Sequence, residues 1–408
     1  MNLKLTKFFA PTIAILAVTA CNASRTSSVP VGTEANHTLS GSRAVVPEWE
    51  AKGLATPACP QVTGKPACLA LVESKALRGT TISAWTPADI QARYNLPSAT
   101  NGAGQIVAIV DAYDNPHVAS DLAEYRKKFN LGPATFYKYN QEGAQSNYPG
   151  GDKGWGLEID LDVDMVSAAC PLCTIYLVEA NSSAPSDLED AEAEAASLGA
   201  QVVSNSWICG GSNTCVSSSY FSAPGVIYTA ASGDTGYDDN GAPESLASVV
   251  SVGGTILSRK GSNYGEIVAD FSGGGCSDNG NGVGVAKPSW QTDPDCAFRT
   301  DADVSAVAWD VAEYDTYRFR GWFWIGGTSV AAPIIAAVFA LAGNASGQNA
   351  GENFWSMSVR QRAKELHHIS RGEDGSCGGE YLCKAGTKQF GTYSGPVGWG
   401  TPNGIGAF

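Results

Sequence analysis

Apolar residues gather along this chain in short runs bounded by glycine and polar positions. Residues 105–110, 174–178, 201–204, 226–230 and 249–252 are compact enough to be buried strands. Helical stretches fall between them. Thr86, Pro87 and Asp89 mark a helix start, with Thr86 as cap and Pro87 in the first turn. Residues 188–198 are rich in alanine and glutamate, and 330–341 form an apolar stretch that predicts a buried helix. Strand and helix alternate through residues 85–408, which implies one large α/β domain around a mostly parallel sheet. Residues 157–165 are ambiguous. Their strict alternation reads as a strand with Glu158, Asp160, Asp162 and Asp164 on one side. Wound as a helix, the same acids form two pairs four residues apart, Glu158 with Asp162 and Asp160 with Asp164.

The ends of the chain and its cysteines indicate a destination. Lys4 and Lys7 precede an apolar run at 8–17, and Val18, Thr19 and Ala20 lead to Cys21. This layout predicts an export signal over residues 1–21, too short to be a comfortable membrane span. Cys21 fits the lipoprotein pattern and is the expected lipidation site, with ordinary cleavage near Ala20 as the other reading. Residues 22–84 lack periodicity and read as a spacer or short pro-segment.

Of 11 cysteines, Cys21 stands apart and the others fall into neighbouring pairs: Cys59 with Cys68, Cys170 with Cys173, Cys209 with Cys215, Cys276 with Cys296 and Cys377 with Cys383. Such pairs suggest maturation where disulfides persist, although connectivity stays open at this level. Zinc at Cys170 and Cys173 is disfavoured by export and by the absence of nearby histidines. The formal charge of −14 and a charged fraction of 16% leave no basic footprint for nucleic acid. Low charge density also suits work in acid, where few carboxylates means little positive self-repulsion on protonation.

The chemistry centres on Gly326, Gly327, Thr328, Ser329, Val330, Ala331, Ala332 and Pro333. The glycines let the backbone come close to a ligand, and Ser329 falls where a helix begins, near free amides and the positive end of the dipole. A Thr-Ser cap on a buried helix is the plain alternative. The complete octet resembles the nucleophile motif shared by subtilisin-like peptidases and the sedolisin (serine-carboxyl peptidase) family. The chain has only His37, His117, His367 and His368, and none is followed by Gly-Thr as a subtilisin base would be. No serine sits in a Gly-x-Ser-x-Gly elbow.

The sedolisin resemblance implies a subtilisin-like fold over about 85–404, and it selects Glu158 and Asp162 as base and orienting acid on one helix. It makes Asp234, within Ser232-Gly233-Asp234, the oxyanion donor, and places Asp111 at a strand end as an extension of the proton network. Ser204, Ser206 and Trp207 match a substrate-lining segment, and Gly273, Gly274 and Gly327 follow the family order; Ser204, Ser206, Gly273, Gly274 and Gly327 are the expected substrate-binding residues, with Trp207, like Asp111, supporting the catalytic set. An EF-hand reading of Asp160, Asp162 and Asp164 fails, because Met165 and Pro171 occupy positions that need glycine and glutamate.

The implied activity is an acid-acting serine endopeptidase that hydrolyses protein or peptide bonds as a monomer, with no nucleic-acid partner and membrane contact only through a lipid anchor. At about pH 3 to 5 an imidazole is protonated, whereas a carboxylate can still accept a proton. The other reading is a catalytically silent, peptidase-like envelope lipoprotein that binds peptides. No cofactor is expected for the chemistry. The family's C-terminal calcium site is expected to be degenerate, since His368, Tyr393 and Ser394 fall in its region without the usual carboxylates. The family's large pro-domain is also missing: only about 60 residues separate the signal from the catalytic domain. Processing near 78–83 is one option.

Overall fold

The computed structural model describes residues 46–74, 84–237, 240–278, 284–345, 351–377, 380–385 and 392–408. The export signal, Cys21, the first part of the spacer and the 78–83 stretch lie outside the described residues.

The alternating pattern builds an eight-stranded sheet. Its order runs Asn263–Val268, Val249–Lys260, Ile227–Ala231, Val202–Asn205, Ile106–Ala112, Thr174–Ala180 and Thr135–Asn140, with Val304–Val307 also paired to Val249–Lys260. Every pairing is parallel except the hairpin between Val249–Lys260 and Asn263–Val268. The central strands are apolar and buried on both faces, as a parallel sheet between helices requires. Helices Lys153–Ala169 and Thr328–Ala342 pack against each other, and Pro185–Ser197 packs on the sheet. The fold is α/β, with a mostly parallel central sheet flanked by helices, as expected.

The ambiguous acidic stretch is a helix, Lys153–Ala169. Asp152 caps it, its Oδ1 accepting from the amides of Gly154 and Trp155 at 2.8 and 3.0 Å. Residues 155–169 are all buried. A helix enclosed on every side shows no single apolar stripe, so the period-two pattern carried no information about its geometry. Thr86 caps the helix Pro87–Arg93 as read from the sequence, and Asp89 completes a capping box.

Residues 46–74, read as spacer or short pro-segment, are folded against this body. Ala55–Pro57 and Leu71–Glu73 join Gly321–Gly326 and Val311–Asp315 in a second, antiparallel sheet. The five cysteine pairs are all disulfides: Cys59–Cys68, Cys170–Cys173, Cys209–Cys215, Cys276–Cys296 and Cys377–Cys383. Among the described residues no helix is long and apolar enough to cross a membrane.

Candidate active site

Ser329 is the second residue of helix Thr328–Ala342 and is fully buried. The preceding Gly327 has φ 109°, a backbone state that favours glycine. Space makes the same demand: a Cβ there would lie 2.3 Å from the Leu69 carbonyl oxygen and 2.8 Å from Asp234 Oδ2. Pro333, four residues after Ser329, has no amide to close the helical bond to the Ser329 carbonyl. The Ser206 hydroxyl stands 3.4 Å from that carbonyl instead.

Glu158 and Asp162 project from one face of helix Lys153–Ala169 toward this turn. The Ser329 hydroxyl lies 3.4 Å from the Ser206 carbonyl oxygen and is close enough to the Glu158 carboxyl to influence its titration, while Glu158 Oε1 has no hydrogen-bond partner among the described residues. Ser206 Oγ is 2.7 Å from Asp162 Oδ1. Asp111, at the end of strand Ile106–Ala112, completes the group; neither of its oxygens has a hydrogen-bond partner among the described residues.

Burial dominates the electrostatics of these three acids. It pushes Asp111 up to about 8. Glu158 is raised well above its ordinary range by burial and then by Asp111, while Ser329 and the amides of Ala70 and Leu69 oppose the rise. Asp162 is raised by burial, Asp111 and Glu158, with Ser206 opposing. Carboxyls this close titrate as a group and share protons. A protonated Asp162 can donate to Ser206 Oγ, freeing the Ser206 hydrogen for the Ser329 carbonyl.

Asp234 follows strand Ile227–Ala231 and turns to the start of the serine helix. Its Oδ1 accepts from the Thr328 amide at 2.7 Å and from Thr328 Oγ1 at 2.9 Å. Trp49 Nε1 donates to the Asp234 carbonyl at 3.2 Å, so the early segment also braces this turn.

The remaining expected residues divide. Trp207 lies on the short strand Trp207–Ile208, and its indole donates to the Val110 carbonyl at 3.1 Å, tying that strand to the central sheet. Ser206 reaches the acids, whereas Ser204 is buried in the sheet in register with Ile109 and Thr229. Gly273 packs behind the Asp234 turn, where a Cβ would come within 1.9 Å of the Ser232 carbonyl oxygen. Gly274 packs against Gly395 and Asp301. These two glycines support the turn from behind.

The sequence reading missed Leu69 and Ala70. Their amides donate to Glu158 Oε2 at 3.0 and 2.7 Å. The one signal that pointed there was the apolar run at 67–72 beside the Cys59/Cys68 pair.

Two regions bear on metal binding. In the C-terminal region Tyr393 donates to the Ala302 carbonyl at 2.9 Å and packs on Trp355 and Trp399, so its position serves aromatic packing. His368 and Ser394 add no carboxylate, and these residues do not fit a hard cation. The other face of the acid helix carries Asp160. Among the described residues Asp121, Asp160 and Asp315 bring carboxylate oxygens within 4.8 Å of one another. Each is already engaged: Asp160 by Asn115, Asp121 by Thr316, and Asp315 by the amides of Arg318 and Phe319.

Residues 147–380, over half of the chain, match the family model described as Subtilase family. Kumamolisin of Bacillus sp. (strain MN-32) is 25% identical over 70% of this chain and 56% of its own length. Sedolisin of Pseudomonas sp. (strain 101) is 24% identical over 80% of this chain and 61% of its own. The chain therefore spans somewhat under two thirds of these relatives. The structure of Pseudomonas sedolisin (serine-carboxyl proteinase) complexed with two molecules of pseudo-iodotyrostatin aligns with a TM-score of 0.64, covering 79% of this chain and 96% of that one at 24% identity. Sphericase aligns at a TM-score of 0.50 and 18% identity, over 80% of this chain and 99% of that one. On the matched family model, the relatives and the shared fold, the chain belongs to the subtilase family and, within it, to the sedolisin group of serine-carboxyl peptidases.

Proposed function

We propose that this protein is a serine endopeptidase that cleaves protein or peptide bonds in acid, with Ser329 as nucleophile, Glu158 as general base and acid, Asp162 as its orienting partner and Asp234 as oxyanion donor. The observation that carries the reading is Ser329 at a helix start, beside the buried Glu158 carboxyl and one residue from the amide that holds Asp234. Ser329 Oγ attacks the carbonyl carbon while Glu158 takes its proton. The tetrahedral oxyanion is met by the Ser329 amide and by Asp234, which must be protonated at Oδ2 to donate. Glu158 then returns the proton to the leaving amine, and water resolves the acyl-enzyme by the same relay. Asp111 extends the proton-sharing group.

The reaction needs no metal, and turnover should survive EDTA. The enzyme is exported, acts as a monomer and meets the membrane only through a lipid on Cys21. Its disulfides suit such a compartment.

Labelling by a fluorophosphonate or peptide aldehyde at pH 4 tests the assignment. Wild type should label and hydrolyse peptides, whereas Ser329→Ala should do neither with its circular dichroism unchanged. Absence of both labelling and hydrolysis in wild type, once residues 46–69 have been removed, would leave the silent peptide-binding lipoprotein as the better reading.

A further inference from the structure

Helix Lys153–Ala169 carries a second pair of acids, Asp160 and Asp164, one turn apart and rotated by the helical period away from Glu158 and Asp162. Strand Val311–Asp315 packs against this helix and presents Glu313 and Asp315, two residues apart, on one of its faces. Helix Val118–Lys128 packs on both and adds Asp121 from its first turn. The pairs meet: Asp121, Asp160 and Asp315 bring carboxylate oxygens within 4.8 Å of one another. At the next turn the Tyr314 amide stands 3.4 Å from Asp164 Oδ2 and fixes the strand against the helix. All five acids are buried, none more than 2% exposed.

Their hydrogen bonds aim the carboxylates without using them up. Asp160 Oδ2 accepts from Asn115 Nδ2 at 2.7 Å, and Asp315 Oδ1 accepts from the amides of Arg318 and Phe319 at 2.6 and 3.0 Å. Asp121 Oδ2 accepts from the Thr316 amide at 2.8 Å, with the Thr316 hydroxyl 2.9 Å from Oδ1. Among the described residues Asp160 Oδ1, Asp164 Oδ1, Asp315 Oδ2 and both oxygens of Glu313 have no hydrogen-bond partner. Nor does any of the five acids form an ion pair with a lysine or arginine among those residues. Arg126, whose charge reaches Asp164, gives its guanidinium to Ser167 Oγ and to four backbone carbonyls instead.

Carboxylates gathered out of water need a counter-charge, and these have none of their own. Donors that hold one oxygen of each acid leave the other for a shared partner, as the outer hydrogen bonds of a metal site do. Oxygens bound to one calcium ion at about 2.3 to 2.6 Å can stand no more than about 5 Å apart. The three aspartates meet that limit. The geometry points to a binding site for one calcium ion, with Asp121, Asp160 and Asp315 as ligands and the unpartnered Glu313 as the further carboxylate beside them.

The site lies close to the surface. Half-buried Thr316 stands between Asp121 and the exposed His117, whose Nδ1 is 2.9 Å from Thr316 Oγ1, so a hydrated cation enters from this side. Once bound, it ties two helices to the end of a strand, and its effect is on stability. The inference therefore stands apart from the peptidase reading and agrees with turnover that survives EDTA.

The test uses the full-length protein at pH 7, stripped with EDTA and then freed of the chelator. Calcium chloride titrated in by calorimetry should bind at one site, and saturating calcium should raise Tm by about 2 °C or more. Asp160→Asn and Asp315→Asn should each weaken that binding by about tenfold or more. Glu313→Gln, which starts from the higher Tm without calcium, should gain less from it than wild type. No heat of binding together with an unchanged Tm overturns the inference and leaves the acids neutralised by shared protons. Binding undiminished in both asparagine variants places the cation elsewhere and overturns it too. Should circular dichroism show that either asparagine variant does not fold, the other and Glu313→Gln decide, and undiminished binding in them overturns the inference.

Discussion

Asp234 Oδ1 accepts the amide hydrogen of Thr328 at 2.7 Å, which fixes the carboxyl one residue before the nucleophile. Oδ1 also accepts from the Thr328 hydroxyl, so in the proposed mechanism Oδ2 is the oxygen that would meet a developing oxyanion. A donor aimed there is worth about 3 to 4 kcal/mol in related chemistry. Asp234→Ala should therefore lower kcat on a peptide substrate by about 100- to 1000-fold. Asp234→Asn, which keeps one acceptor and one donor, should retain more turnover than the alanine variant. Equal losses in the two variants would show that no hydrogen-bond donor is needed at this position.

Ser206 joins Asp162 to the carbonyl that Pro333 leaves without a helical partner. In the proposed mechanism it would act through Asp162, as a positioning residue. Ser206→Ala removes a buried hydroxyl, and a loss on the order of 1.4 kcal/mol corresponds to about tenfold in kcat. KM should change little, and Ser206→Thr should restore most of the rate. An effect confined to KM would place Ser206 in substrate binding instead.

Stability should fall as pH rises. Asp111 is pushed up to about 8 by burial, so between about pH 4 and that value the folded state holds a proton that the unfolded chain has released. Stability linked to this group is fully present below about pH 4 and declines by roughly 1.4 kcal/mol per pH unit across the window. Glu179, raised by burial to about 9, adds in the same direction. Thermal unfolding followed from pH 4 to pH 8 should show a falling Tm, and Asp111→Asn should flatten the slope while leaving Tm at pH 4 little changed. A Tm that rises toward pH 8 would contradict this.

Glu313 is grouped electrostatically with Asp315, Asp160 and Asp164. It is fully buried, and both its oxygens lack hydrogen-bond partners among the described residues. Burial raises it, and Asp315, Asp160, Asp164 and, last, Glu158 add to the effect. Glu313→Gln should raise Tm at pH 7 and leave peptide turnover at pH 4 within about threefold, since neutral forms are compared at that pH. Loss of turnover without loss of fold would bring this second group of acids into the chemistry.

Several parts of this protein were legible from residue order alone. The apolar runs located most strands of the main sheet, because a parallel sheet buried on both faces imprints an almost continuous hydrophobic signature. The Thr86 helix cap and the turn before Ser329 were visible because each depends on residues a few positions apart. The cysteine pairs were visible for the same local reason. The acid helix was not: its enclosure erased the periodicity that distinguishes helix from strand, and its identity in the sequence rested on family resemblance.

Chain order thus determined which groups were on offer: a serine at a helix start, two carboxyls one turn apart, an aspartate after a strand, and no suitably placed histidine. Only the folded molecule decided their company. It brought Asp111 to Glu158 and Asp162, put the Ser206 hydroxyl on Asp162, and sent Leu69 and Ala70 into the cleft. Such meetings join residues far apart in the chain and depend on how strands align across a sheet, a register that no local spacing encodes.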